Sequence, residues 1–128
     1  MIVDTSAIAA IVFKERGHAE VLGKLVAADH AGIGTPTLAE AGIVLTARLK
    51  KDGRPLLLRF LQEFEIAPIP FGDAHWREAI EGYRRFGRGR HPAALNFGDC
   101  MTYATARLAT RPVLCVGADF AKTDLVVI

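Results

Sequence analysis

Fourteen acidic residues are spread through the 128-residue chain. Four of them stand where a solvated surface charge is not expected. Asp4 ends a short apolar, β-branched run, Met1–Val3, and Asp119 follows another, Val113–Val116. Glu40 lies between Ala39 and Ala41 in the first turns of a largely apolar helical segment. Asp99 opens a segment that Asn96 is suited to cap. The partial positive charge of a helix N-terminus favours a carboxylate there, but the neighbours Phe97, Cys100 and Met101 call for an interior. Carboxylates that converge repel and raise one another's pKa, so three or four in one place make physical sense around a divalent cation. Oxygen-only ligands point to Mg²⁺ or Mn²⁺ rather than Zn²⁺. Such a cation activates water and stabilises the charge of in-line phosphoryl displacement. The acids Glu15, Glu20, Glu63, Glu78 and Glu81 read as solvated helix faces.

Those four acids need elements that bring them together. Met1–Val3 reads as a central strand. Ser6 or Thr5 can cap a helix over Ala7–Lys14, and Gly17 precedes a second helix over His18–His30. Gly32–Gly34 is read as a strand. Thr35 or Thr37 caps the next helix, which runs to about Lys51 with Pro36 in its first turn. Pro55 opens a helix through Phe64, Ile66–Phe71 is a strand, and Asp73 caps a helix through Tyr83. A Gly/Arg loop from Phe86 to Pro92 leads to the Asn96 helix. Val113–Val116 and Leu125–Ile128 are the last strands. Strands alternating with helices predict one domain over residues 1–128, an α/β fold with three layers, α/β/α, around a central parallel sheet. Ligands of open parallel sheets bind beyond the carboxyl ends of the strands. Asp4 and Asp119 fall there if their strands are neighbours, and the helices bearing Glu40 and Asp99 begin near that edge.

Apolar residues make up 51% of the chain, enough for a real core. The net charge is only +2, yet four of the eleven Arg (Arg84, Arg85, Arg88, Arg90) fall within seven residues. Such a cluster suits an anionic partner, and phosphates gripped beside an acidic metal site would fit it. The alternatives are a solvated loop or contact with an acidic protein. Cys100 and Cys115, both in apolar contexts, read as buried reduced thiols of a cytoplasmic protein. No signal-peptide pattern is present, and no apolar run approaches the roughly 20 residues that span a bilayer. Phe97, Met101, Ala104 and Leu108 share a helix face expected to be buried. Trp76, Phe60 and Phe64 are expected to pack in helix cores.

Four motifs carry a resemblance. VDTSA (Val3–Ala7), TPTLAEA (Thr35–Ala41), LNFGDCMTYATA (Leu95–Ala106) and GADFAKTD (Gly117–Asp124) run from one end of the chain to the other. Each is weak alone; in this order and at this spacing the chain resembles PIN-domain ribonucleases of the VapC toxin type, from bacterial toxin–antitoxin pairs. The resemblance implies a PIN-like fold and metal-dependent hydrolysis of RNA that leaves 3′-OH and 5′-phosphate ends. It assigns Asp4, Glu40, Asp99 and Asp119 to the family's acidic quartet, which binds Mg²⁺ or Mn²⁺. Asp4 and Asp99 would be the principal ligands, and Glu40 would ligate a second metal or orient water. Many relatives carry two adjacent acids where this chain has Ala118-Asp119, so Asp124 would act instead of Asp119 or beside it. Thr5 or Ser6 matches a hydroxyl expected to hold a metal-bound water or a phosphate oxygen, and Asn96 matches a polar position that caps the helix. The implied partners are RNA and a cognate antitoxin, with no membrane. The antitoxin would occlude the groove by placing an Arg or Lys among the carboxylates. The apolar Leu56–Phe64 region is expected to leave a patch that binds the antitoxin or pairs two subunits in a homodimer.

Two other classes are weighed against this reading. A phosphoacceptor module needs an acid pair early and an acceptor Asp on a middle strand; Ile33-Gly34-Thr35 offers none. A PIN-like RNA- or protein-binding module without activity is disfavoured by the full acid set.

Overall fold

Four short strands set the frame in the computed structural model, which describes residues 1–128 throughout. They are β1 (Ile2–Val3), β2 (Ala31–Gly34), β3 (Ile66–Ile69) and β4 (Val113–Leu114). Their order is β3-β2-β1-β4, all parallel. β1 is interior, with Ile2 opposite Gly32 on one side and Val113 on the other. Every residue of β1 and β4 is buried, as strands covered on both faces require. Successive side chains take opposite faces. Ile2 and Val113 pack with Ala79, Phe86 and Tyr103, whereas Val3 and Leu114 pack with Ile8, Leu45 and Phe60.

Helices α1 (Thr5–Val12), α2 (His18–Ala27), α3 (Thr35–Leu49) and α4 (Arg54–Glu63) supply the first face; α5 (Asp73–Phe86) and α6 (Phe97–Ala109) supply the second. This is the three-layer sandwich expected from the alternation of strands and helices. Parallel pairing gathers the strand carboxyl ends on one edge. Asp4 leaves β1 there, Cys115 leaves β4, and α3 starts directly after β2. α6 crosses the end of β2 so closely that a Cβ on Gly34 would come within 2.5 Å of Thr105 Oγ1. Glycine at that point lets the helix pass over the strand and carry its N-terminus to the same edge.

Several boundaries differ from the sequence reading. Asp4, not Thr5 or Ser6, caps α1, by accepting from the Ser6 N–H. Gly34 precedes α3, so Thr35 and Thr37 lie inside that helix. Gly72 precedes α5, and its N–H donates to the His75 ring rather than being capped by Asp73. α2 ends at Ala27 because the chain must already turn into β2; the His30 carbonyl accepts from the N-terminal ammonium. Leu125–Ile128 forms only a bridge at Val127 to Val113, and Val126 is exposed.

The largest corrections concern burial. Phe97 is 79% exposed and Leu108 43%, so the expected buried face of α6 is turned. Its buried residues are Cys100, Thr102, Tyr103, Ala104, Thr105 and Ala106. Tyr103 sets the rotation by packing where Gly82 leaves no side chain in the way. Trp76 is half-exposed, with Ile80 and Tyr83 on the same outer face of α5, while Ala79, Gly82 and Phe86 face inward. In the Leu56–Phe64 region Leu57, Phe60 and Leu61 are buried and Leu58 is exposed. The exposed apolar cleft lies elsewhere, lined by Phe71, Trp76, Ile80, Tyr83, Phe97 and Met101.

Candidate metal centre

Asp4 is fixed by its own turn. Being the last residue before α1, it caps that helix, and it is only 6% exposed. Its Oδ2 accepts from the Ser6 N–H at 3.0 Å and from Ser6 Oγ at 2.6 Å, and its Oδ1 accepts from Thr102 Oγ1 at 2.7 Å. Ser6 Oγ in turn accepts from the Val116 N–H, which ties the segment after β4 to the start of α1.

Glu40 sits one turn and a half into α3, partly buried. Thr5 Oγ1 donates to its Oε1. Its Oε2 occupies the space that a side chain on Gly98 would need, so the carboxylate lies against the first turn of α6. Thr5 and Ser6, expected to hold a metal-bound water or a phosphate oxygen, are hydrogen-bonded within the acid set. Each hydroxyl has one proton, and both protons are given to acids of the set, Thr5 to Glu40 and Ser6 to Asp4.

Asp99 is placed by reciprocal capping of α6. The Asp99 N–H donates to Asn96 Oδ1 at 2.9 Å, and the Asn96 N–H donates to Asp99 Oδ2 at 3.0 Å. Asn96 is thus the helix cap that the sequence predicts. Burial pushes the Asp99 carboxyl above the usual carboxylate range. The Asn96 N–H opposes the shift, and the charges of Asp4, Asp119 and Glu40 add to it. Asp4, Asp119 and Glu40 are thus near enough to Asp99 for their charges to act on it. Asp119 is the exposed member, in the turn before Phe120–Lys122.

Asp124 does not join them. Its carboxylate accepts from the Tyr103 hydroxyl at 3.0 Å and pairs with Arg85 at 3.2 Å and Arg107 at 3.5 Å, tying the last segment of the chain to α5 and α6. Asp99 feels Asp119 and not Asp124. The structure thus places Asp124 in contacts with α5 and α6 rather than beside Asp99.

No three His, Cys, Asp or Glu side chains close to common ligating distance in this arrangement. The donor set nevertheless fits a hard divalent cation. It consists of carboxylate oxygens, and the ionised form of a half-buried acid among them is disfavoured by burial and then by like charge, which a cation would relieve. Nucleophilic thiol chemistry is not what the site offers. Burial, reinforced by Asp99, raises Cys100 to about 11. Burial followed by Asp4, Asp119 and Asp99 raises Cys115 to about 11, so both thiols stay protonated at neutral pH.

The arginine cluster divides. Arg84 pairs with Glu81 and Arg85 with Asp124, while Arg90 Nε donates to the Arg84 carbonyl. Arg88 has no carboxylate partner. Its N–H donates to the Leu95 carbonyl, one residue before the α6 cap.

Neither Thr37 nor Thr102 stands out in the sequence as a site residue, yet both are buried within the acid set. Thr37 Oγ1 lies 3.1 Å from Thr102 Oγ1. The one sequence signal is spacing: Thr37 precedes Glu40 and Thr102 follows Asp99 by three residues, one helical turn.

Residues 1–125 match the family model described as PIN domain. The chain is 47% identical over 126 residues to Ribonuclease VapC36 of Mycobacterium tuberculosis, covering 98% of this chain and 91% of that protein. It is 40% identical over 126 residues to Ribonuclease VapC28 of the same organism, covering 98% and 95%. Among solved structures it resembles M. tuberculosis VapC20, a sarcin-ricin loop cleaving toxin, with a TM-score of 0.79 at 18% identity over 99% of this chain and 97% of that one. A toxin–antitoxin complex from Klebsiella pneumoniae matches with a TM-score of 0.72 at 16% identity over 99% and 95%. At those identities the structural matches speak for the fold.

Proposed function

The chain belongs to the PIN-domain family, among the VapC ribonucleases, and from that premise we propose that it is an endoribonuclease toxin whose Mg²⁺- or Mn²⁺-dependent site is the Asp4, Glu40, Asp99, Asp119 set. The observation that carries the reading is geometric: at the carboxyl edge of the parallel sheet Asp4 is bound by Thr102 of α6, and the Glu40 carboxylate lies against Gly98, the residue before Asp99. Asp4 and Asp99 would hold the cation, with Glu40 and Asp119 completing its surroundings. When bound, Mg²⁺ or Mn²⁺ supplies water activation and offsets charge on the phosphoryl group. The chain's own residues do the rest. Ser6 and Thr102 keep Asp4 oriented, Thr5 holds Glu40, and the Asn96 cap holds Asp99 in the first turn of α6. Glu40, held by Thr5, is the acid assigned to orient the attacking water. The water oxygen bonds to phosphorus, the bond to the 3′ oxygen breaks, and that oxygen takes up a proton. The products are a 3′-OH and a 5′-phosphate.

Arg84, Arg85, Arg88 and Arg90 are the proposed grip on RNA phosphates; Arg88 and Arg90 break no ion pair to do so, whereas Arg84 and Arg85 would leave Glu81 and Asp124. The proposal includes a cytoplasmic site of action and inhibition by a cognate antitoxin segment that sets a cation among the acids. No helix is long and apolar enough to cross a membrane. Pairing of two copies is assigned to the cleft between α5 and α6. Its exposed apolar lining, Phe71, Trp76, Ile80, Tyr83, Phe97 and Met101, is the surface that a second copy would cover. Sedimentation at high concentration tests it, and a strict monomer removes it.

The deciding assay is cleavage of single-stranded RNA by the wild type and by Asp99→Asn, with Mn²⁺, with Mg²⁺ and with chelator. Cleavage by the wild type that needs the metal and is lost in the folded variant is the expected result. Equal cleavage by both, or cleavage in chelator, refutes the assignment.

A further inference from the structure

Three elements meet at the acid set, and each brings one acid and one threonine. The β1–α1 junction has Asp4 and Thr5, α3 has Thr37 and Glu40, and α6 has Asp99 and Thr102. A carboxylate offers only acceptors and a hydroxyl has one proton, so the direction of each bond is fixed. Thr102 Oγ1 must donate to Asp4 Oδ1 at 2.7 Å. With its proton committed, it accepts from Thr37 Oγ1 at 3.1 Å. Thr5 donates to Glu40. Thr102 is fully buried, Thr37 is 2% exposed, and no buried side-chain polar atom in the chain lacks a partner. A fully buried hydroxyl aimed at a buried carboxylate from another element is more than core filling. Valine would fill the same volume without a hydroxyl to satisfy.

We infer that Thr102, backed by Thr37, is a positioning residue for the cation of this site. It holds one oxygen of the principal acid on β1 from the helix that carries the other principal acid, and so fixes Asp4 and Asp99 relative to each other. Thr37 locks the proton of Thr102 onto Asp4 by taking up the only competing role of that hydroxyl. The relay spans β1, α3 and α6, so a shift of any one element is felt at Asp4. This inference rests on the proposed metal-dependent reading of the same acids.

Isothermal titration of the full chain with Mn²⁺ alone tests it without recourse to activity. The variants are Thr102→Val, Thr102→Ser, Thr37→Val and, as control, Asp99→Asn, with folding followed by circular dichroism. Loss of an outer-shell partner of a ligand weakens metal binding by about 10- to 100-fold. Thr102→Val is expected to do so, Thr37→Val to do so less, and Thr102→Ser to bind as the wild type does. In RNA cleavage at saturating Mn²⁺, Thr102→Val is expected to recover most of its rate, which separates loss of metal from loss of chemistry. If Asp99→Asn loses Mn²⁺ while Thr102→Val and Thr37→Val bind like the wild type, the relay is overturned and the metal site stands. If the wild type binds no Mn²⁺, both fall. Should Thr102→Val fail to fold, Thr37→Val and Thr102→Ser decide: equal affinity in the wild type and Thr37→Val overturns the inference.

Discussion

Asp99→Asn is expected to make the metal-free protein more stable at neutral pH and to abolish its stabilisation by metal. The substitution preserves the cap, because an asparagine Oδ1 accepts the Asn96 N–H as Asp99 Oδ2 does now. It removes a charge that burial and three neighbouring acids disfavour. The sign follows from linkage. Below the ordinary carboxylate range Asp99 is protonated in both folded and unfolded chains, and wild type and variant differ little. As the pH rises, the unfolded chain ionises first, so the folded wild type loses stability through the window up to its raised pKa and carries the penalty from there to neutrality. The variant escapes that loss. Metal reverses the order. A cation that binds only the folded state adds about 2.7 kcal/mol at a hundredfold excess over its dissociation constant. A chain of 128 residues has an unfolding entropy of about 0.27 kcal/mol/K near its midpoint. The wild-type midpoint should therefore rise by roughly 10 °C in such an excess of Mn²⁺, and the variant's should stay put. Thermal unfolding by circular dichroism at pH 7 and at pH 3, with Mn²⁺ and with chelator, reads all four states. An equal rise in both proteins refutes the idea that the acids form the metal site, and a variant less stable than the metal-free wild type at pH 7 refutes the electrostatic argument for Asp99.

Three further outcomes follow from the same geometry. Asp119→Asn should weaken Mn²⁺ binding on the order of tenfold, whereas Asp124→Asn should leave it unchanged and cost about 1 kcal/mol of stability through its bonds to Tyr103, Arg85 and Arg107; calorimetric titration and denaturant unfolding compare the two. Arg88→Gln should weaken binding to single-stranded RNA of any sequence and lower the salt dependence of log K by about 0.7, measured by fluorescence anisotropy between low and moderate salt. Cys100 and Cys115, whose thiols titrate at about 11, should resist alkylation by iodoacetamide at pH 7.5 in the folded protein and react on unfolding, as mass spectrometry would register.

The layers were legible because each rests on local pattern. Met1–Val3 and Val113–Val116 are apolar runs bounded by Asp4 and Gly117, and both become buried strands, β1 inside the sheet and β4 at its edge, though shorter than they read. Asn96 announces α6 and caps it. The burial of the helices was legible only in part, because periodicity finds a stripe without saying which of two stripes faces in. On α5 the residues Trp76, Ile80 and Tyr83 form one apolar stripe and Ala79, Gly82 and Phe86 another, and the smaller set is the one that packs. The reason is nonlocal: Tyr103 of α6 fills the notch at Gly82. Leu125–Ile128 reads as a strand by propensity but finds a single partner residue at the edge of β4.

The acids were legible for a different reason. A carboxylate at the end of an apolar strand, or among alanines on a helix, is anomalous in its own segment, so Asp4, Glu40 and Asp99 stand out before any contact is known. Asp119 stands out only by following the apolar Val113–Val116 run, and Asp124, in the polar turn beyond it, does not; the two are separated by their surroundings, one near Asp99 and the other under two arginines. Threonine is the opposite case. It is at home in a strand, a cap or a helix face, so Thr37 reads as a cap and Thr102 as nothing at all. Its role depends on partners far along the chain: Thr102 reaches Asp4 across 98 positions, and Thr37 reaches Thr102 across 65. The groups that carry charge reveal themselves by what they cost locally. The groups that aim them cost nothing locally, and their role becomes visible only when the fold closes.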